Sequence, residues 1–266
     1  MKNRGTNSQG DGDSPHFQMD FLNFHDSETG DCPRDLAPRI RVSRRARRLS
    51  LRVYPDARVE VVVPPRVRAS EVEKFVAAHR EWIEHRRELA LRNQPAPEPF
   101  PPAKLHLPLS GETWRLHLAG GAGAVRISEV DAAAAGGILR VRGAGKLRTG
   151  LRSWLMRAAK RRLEPRVAAL AGAMGVRYSR VSIRRQRSRW GSCSVRGTIS
   201  LNVCLLFQRP EVVDYLIVHE LTHVRHMNHS ARFWQAVEAR CPAWRALDRE
   251  LLQGWRHVPR WVFSES

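Results

Sequence analysis

The sequence predicts an α+β protein: a mainly helical carboxy-terminal core with a small antiparallel sheet, preceded by an amino-terminal β-hairpin and helix. Three observations predict it. Apolar and polar residues alternate over 49–53 and 59–61, the two-residue period of strands. Apolar residues recur at helical spacing over 150–172, and an apolar run over 212–218 follows Pro210. Between these helical stretches, 181–183 and 198–201 read as two short strands.

Taken in order, residues 1–37 are rich in Gly, Asp, Ser and Asn and have few spaced apolars, so a disordered tail is expected, with order beginning near Ile40. Residues 38–92 form the hairpin and helix region. Its strands are joined by the turn-type sequence Pro55-Asp56-Ala57 and closed by Pro64-Pro65. Ser70, with Glu73 three residues on, makes a capping box for one helix that carries Val72, Phe75, Val76, His79, Trp82 and Ile83 towards Arg92. Residues 93–105 are a proline-rich connector, extended and semi-rigid. Residues 106–148 hold short strands at 113–118, 124–128 and 138–141. Residues 149–262 are the core. Its first helix puts Leu151, Trp154, Leu155, Ala158, Leu163 and Val167 on one side. Pro210 suits the first turn of the next, where a missing N–H costs nothing. That helix is expected to reach about Met227, with further helices after Ser230 and over 244–254.

Bulk properties narrow the function. A hydrophobic fraction of 42% and a charged fraction of 27% describe a globular chain. No run approaches the roughly 20 apolar residues of a membrane span, and the first residues lack a signal-peptide pattern, so a cytoplasmic protein with no membrane partner is expected. The four cysteines show no CxxC spacing and read as free thiols. The net charge of +20 comes mostly from arginine, in clusters such as Arg44-Arg45-Ala46-Arg47-Arg48 and Arg184-Arg185-Gln186-Arg187. That charge leads to an expectation of nonspecific affinity for nucleic acid, set against a simple bias towards arginine.

The chemistry concentrates in His219-Glu220-Leu221-Thr222-His223. On a helix the two histidines lie about 40° apart around the axis and ~6 Å apart along it, so their imidazoles can converge on one tetrahedral Zn²⁺. Zinc brings the pKa of a bound water towards 7, and Glu220, beside the first ligand, can take its proton. Two histidines on so apolar a helix need partners, because burying unpaired polar nitrogen is costly. A catalytic zinc wants a third protein ligand. His229 is the first choice, because Asn228-His229-Ser230 interrupts the helical pattern and lets the chain turn back. Glu238 on the next helix and His226 are the other candidates, His226 pointing about 300° further round the helix. Cys193 has no evident partner base, and Phe233 and Trp234 read as core anchors. The segment 198–202 is either an interior strand or an edge able to pair with an extended peptide.

These residues, with Arg189-Trp190-Gly191-Ser192-Cys193-Ser194, Ile199-Ser200-Leu201-Asn202, Asp214-Tyr215, Asn228-His229-Ser230, Phe233-Trp234 and Pro242, resemble the YgjP-like metallopeptidases, relatives of the SprT-like zincins. With Pro64 and Trp82-Ile83 upstream, the resemblance covers roughly 38–256. It implies a zincin-like core with His219, His223 and His229 as zinc ligands and Glu220 as acid/base. It implies a zinc metallohydrolase, foremost an endopeptidase acting on polypeptide. A nucleotide (UTP) pyrophosphatase sharing the same site is the alternative it also carries. A nucleic-acid-associated binding module with a structural zinc is a third reading, for which Glu220 would be superfluous.

Overall fold

The valine-rich amino-terminal strands form as the alternation predicts. The computed structural model describes residues 38–54, 56–92 and 98–264. The expected tail (which includes Cys32), Pro55 and residues 93–97 of the proline-rich connector lie outside the described residues. Strands β1 (Arg39–Val42), β2 (Ser50–Val53) and β3 (Val59–Val63) make a sheet in the order β1-β3-β2. The β2–β3 hairpin is antiparallel, and Ala57 turns it with φ +62°. The parallel pairing of β1 with β3 has no signal in the sequence, because Ile40 and Val42 stay exposed and give no alternation of burial.

Helices α1 (Ala69–Ala78) and α2 (Arg80–Arg92) follow. Two expectations are corrected here. The helix begins one residue before Ser70, with Arg68 at the N-cap and no side-chain cap, because the Arg68 carbonyl already accepts from Glu71 and Val72. One helix becomes two at His79, whose backbone leaves helical geometry and whose Nδ1 lies 2.8 Å from the Phe75 carbonyl. Val72 closes a small core with Val61 and Val63.

A second sheet, ordered β4-β5-β7-β6, comprises β4 (Lys104–Leu107), β5 (Glu112–Leu118), β6 (Arg126–Ala133) and β7 (Gly136–Arg142). Strand β4 begins inside the segment read as connector; it is four residues long and borders prolines, too short to show a period. Gly136 has φ +113°, and a Cβ there would stand 2.0 Å from the Thr113 carbonyl oxygen, so the crossing of β5 and β7 requires glycine.

The 28-residue helix α3 (Leu147–Met174) lies against this sheet. Trp154 meets Trp114 edge-on, with centroids 5.7 Å apart. Arg162 grips the Glu112 carboxylate through two N–H groups, and Trp114 Nε1 donates to it at 2.8 Å. Gly175, at φ +61°, ends the helix, and the Val176 N–H reaches back to the Ala171 carbonyl.

Strands β8 (Arg180–Arg184), β9 (Gly191–Cys193) and β10 (Thr198–Asn202) form the third sheet. Central β10 runs antiparallel to β9 and parallel to β8, so 198–202 is the interior strand and β9 the edge. Three residues are too few for β9 to stand out from the arginine-rich sequence before it. Beyond a 3-10 turn over Val203–Phe207 come α4 (Pro210–Thr222), α5 (Ala231–Glu238) and α6 (Trp244–Gln253). Pro210 does open α4, but the helix stops at Thr222, not near Met227. Its last N–H groups shift to shorter-range acceptors, Val224 to Leu221 and Arg225 to Thr222, and the chain turns away. One contiguous core runs from Leu105 to Val262. Among the described residues no helix is long and apolar enough to cross a membrane.

Candidate metal centre

Helix α4 is buried over Val212, Val213 and every residue from Tyr215 to Thr222. Each fully buried Val, Leu or Ile contributes roughly 1.5–3 kcal/mol. This burial fixes α4 rigidly and carries the polar side chains of His219, Glu220, Thr222 and His223 inside with it. Thr222 satisfies its hydroxyl locally, donating to the Val218 carbonyl at 2.7 Å. His219 does not, its buried Nδ1 having no hydrogen-bond partner, and its ring meets that of His223 in one cluster.

The early end of α4 matters here. The turn over 223–230 brings His229 back over the helix, so that Nε2 of His229 stands 3.1 Å from Nε2 of His219. One ring nitrogen from each of His219, His223 and His229 lies within 4.8 Å of the other two. Two nitrogens bound 2.0–2.1 Å from a tetrahedral zinc stand about 3.4 Å apart, so this cluster is dimensioned for such an ion. Phe233, fully buried, packs under all three rings at centroid distances of 4.6–4.9 Å. Trp234 stacks on His229 and Trp244 stacks on Trp234. The two other candidate ligands lie elsewhere. Glu238 is exposed and ion-paired with Arg245 at 2.7 Å. His226 offers its carbonyl to His223 Nδ1 at 3.1 Å and is outside the cluster.

The electrostatics favour neutral imidazoles at His219 and His223, the state that metal binding requires. Burial holds the His219 imidazole well below its ordinary value, reinforced by the other two rings. Burial lowers His223 to about 4 against the opposing hydrogen bond from the His226 carbonyl. Tyr215 donates to Asp248 at 2.7 Å, and Asp248 in turn senses the charge of His229.

Glu220 sits fully buried beside the cluster, its Oε1 without a hydrogen-bond partner. Burial pushes its carboxyl up to about 8, against the pull of the Arg189 guanidinium. Gly191 at the start of β9 is the reason the carboxylate fits: a Cβ there would stand 2.7 Å from Glu220 Oε1. The loop leading into β9 is pinned by Asn202, whose Nδ2 donates to the carbonyls of Gln186 and Arg189, both at 2.6 Å. Reasoning from spacing misses Gly191, Asn202, Tyr215 and Asp248 as site residues. Gly191, Asn202 and Tyr215 fall in the motifs that carry the resemblance, the only sequence signal for them.

The arginine-rich loop does not face the cluster as a set. Arg185 and Arg187 donate to the carbonyls of Val262 and Phe263, and Arg152 to that of Trp261, so these cations clamp the carboxy-terminal segment. The described cysteines, Cys193, Cys204 and Cys241, are free thiols. Burial, with Glu220 nearby, pushes Cys193 up to about 11, which makes it a poor nucleophile.

The family model for a YgjP-like metallopeptidase domain matches residues 47–253. Among solved structures, the metallopeptidase zymogen abylysin of Pyrococcus abyssi is 24% identical with a TM-score of 0.33. That match covers 36% of this chain and 97% of that one. The zymogen jannalysin of Methanocaldococcus jannaschii is 19% identical with a TM-score of 0.30, over 34% and 92% of the two chains. No curated protein matches the chain.

Proposed function

The chain belongs to the YgjP-like metallopeptidase family, and from that premise we propose that it is a zinc-dependent endopeptidase in which His219, His223 and His229 hold the metal and Glu220 is the general base. A zinc ion held by these three histidines would supply Lewis acidity for water activation and carbonyl polarisation. The observation that carries the reading is the Glu220 carboxylate: fully buried, its Oε1 without a hydrogen-bond partner, beside the three converging imidazoles. A site that only held a structural ion would have no use for it. Glu220 takes the proton released as the carbonyl is attacked and returns it to the leaving amine. Asp248, held by Tyr215 and electrostatically coupled to His229, would help to orient that ring.

Strand β9 supports a polypeptide over a nucleotide. It is an edge strand beside Glu220, pairing only with β10 among the described residues, and an extended peptide can add to such an edge. The Arg185 and Arg187 guanidiniums, cations suited to phosphate, are instead engaged by the carboxy-terminal carbonyls. The test is to incubate zinc-loaded protein separately with an unfolded polypeptide and with UTP. Glu220→Gln should keep the fold and the zinc but lose about 10²–10⁴ in peptide hydrolysis. Undiminished cleavage by that variant would sink the mechanism, and turnover of UTP without peptide cleavage would move the reading to the pyrophosphatase.

A further inference from the structure

The start of α3 and the first residues of β6 enclose a groove of about 560 Å³, remote in sequence from the histidine cluster. Its helical wall is one face of α3: Lys146, Thr149, Gly150, Ser153 and Arg157 recur at helical spacing. Its other wall carries Arg126. Gly150 lets the walls approach, since a Cβ there would stand 2.6 Å from Val125 Cγ1. No acidic and no aromatic residue lines the groove.

The cations here differ from their neighbours. On α3, Arg161, Arg162 and Arg166 are neutralised by Glu129, Glu112 and Asp214. Among the described residues, the side chains of Arg126, Lys146 and Arg157 have no ion-pair or hydrogen-bond partner. Arg142, equally without one, stands directly opposite Arg126 across the β6–β7 pair. Like charges in that position repel, a cost that a bound anion removes. The spread of the charges selects the kind of anion. Lys146 and Arg157 are roughly 16 Å apart along the helix, too far for one phosphate group but matched to several successive phosphates of a strand. With no aromatic to stack on, bases have no platform, and contact is confined to a backbone.

We infer that this groove binds the phosphodiester backbone of duplex nucleic acid without regard to sequence. Thr149 and Ser153 supply hydroxyl donors between the cations. The clusters that stand out in the sequence are not its basis: Arg185 and Arg187 serve the carboxy-terminal segment instead.

The experiment titrates the zinc-loaded full chain against a fluorescent DNA duplex over a range of salt. The groove variant carries Arg126→Gln, Lys146→Gln and Arg157→Gln. A control removes the same charge from the loop after β1, with Arg44→Gln, Arg45→Gln and Arg47→Gln. The groove variant is expected to bind at least about tenfold more weakly at low salt, its log–log salt slope smaller by roughly two to three, and the control to change far less. Arg157→Gln alone should lower the slope by about one, which keeps the test open if the triple variant folds poorly. Wild-type affinity from the groove triple, equal losses from both triples, or no binding by the wild type overturns the inference. Displacement of the duplex by poly-glutamate at equal charge would reassign the groove to acidic peptide and overturn it as well.

Discussion

Two histidines four apart on an apolar helix read as a ligand pair from the sequence alone, because helical geometry makes them converge. The third ligand narrows to a few candidates but is not fixed by spacing, since His229 depends on where α4 ends, and the apolar run overstates that length. The residues that surround the ligands are not legible from spacing, and only the resemblance touches three of them. Gly191, Asn202, Tyr215 and Asp248 come from four different elements and meet only in the fold. Their roles give sharp tests. His223→Ala and His229→Ala should each lose most of the zinc measured by elemental analysis, whereas His226→Ala and Glu238→Ala should retain it; zinc kept in His229→Ala would reverse the choice of third ligand. Gly191→Ala should cut turnover by about tenfold or more while leaving zinc in place, because the new methyl drives the Glu220 carboxylate from its seat 2.7 Å away. Full activity in that variant would show that Glu220 tolerates displacement and so does not act at a fixed position.

At the scale of elements, strong periods are legible and short ones are not. Helices α3 and α4 and strand β3 bury long apolar faces, and their periodicity survives whatever packs on them. Strands β4 and β9 are four and three residues long, and β1 leaves its apolar side chains exposed, so none carries a period. What joins the elements is also unreadable from spacing. The Glu112–Arg162 contact ties β5 to α3 between residues 50 apart, with both side chains only 15% exposed. Burial alone would raise the Glu112 carboxyl, but hydrogen bonds from Arg162 and Trp114 outweigh it and hold the group below the ordinary 4.5. A depressed carboxyl stabilises the fold at pH above its unfolded value and loses that contribution as pH falls through the folded one. Glu112→Gln should therefore cost about 1–3 kcal/mol at neutral pH. The gap between variant and wild type should close on acidification below about 4.5, measured by denaturant titration at several pH values. A gap independent of pH would assign the loss to packing.

At the scale of the whole molecule, two unequal cores stand out among the described residues. The small one rests on Val61, Val63 and Val72, while the large one runs from Leu105 to Val262. Arg52 of β2 still lies close enough to Arg189 to help depress its pKa, after burial, so the amino-terminal sheet sits near the Glu220 side of the site. Free energies of local opening follow buried apolar contact, so amides of β2 and β3 should exchange with deuterium well before those of β7 and α4. Simultaneous exchange would mean that the cores unfold as one. Light offers a view of the same molecule from its tryptophans. Trp234 and Trp244 lie parallel at 4.1 Å, and the first of them also stacks on His229. Two indoles at that distance share their electronic excitation, and a twist between them gives a paired positive and negative band in circular dichroism. Because one indole leans on a ring of the proposed metal site, zinc entering the metal-free protein should rotate the pair and shift that couplet, and Trp244→Phe should erase it. The site thus carries its own optical gauge of occupancy, one that needs no substrate and no catalysis.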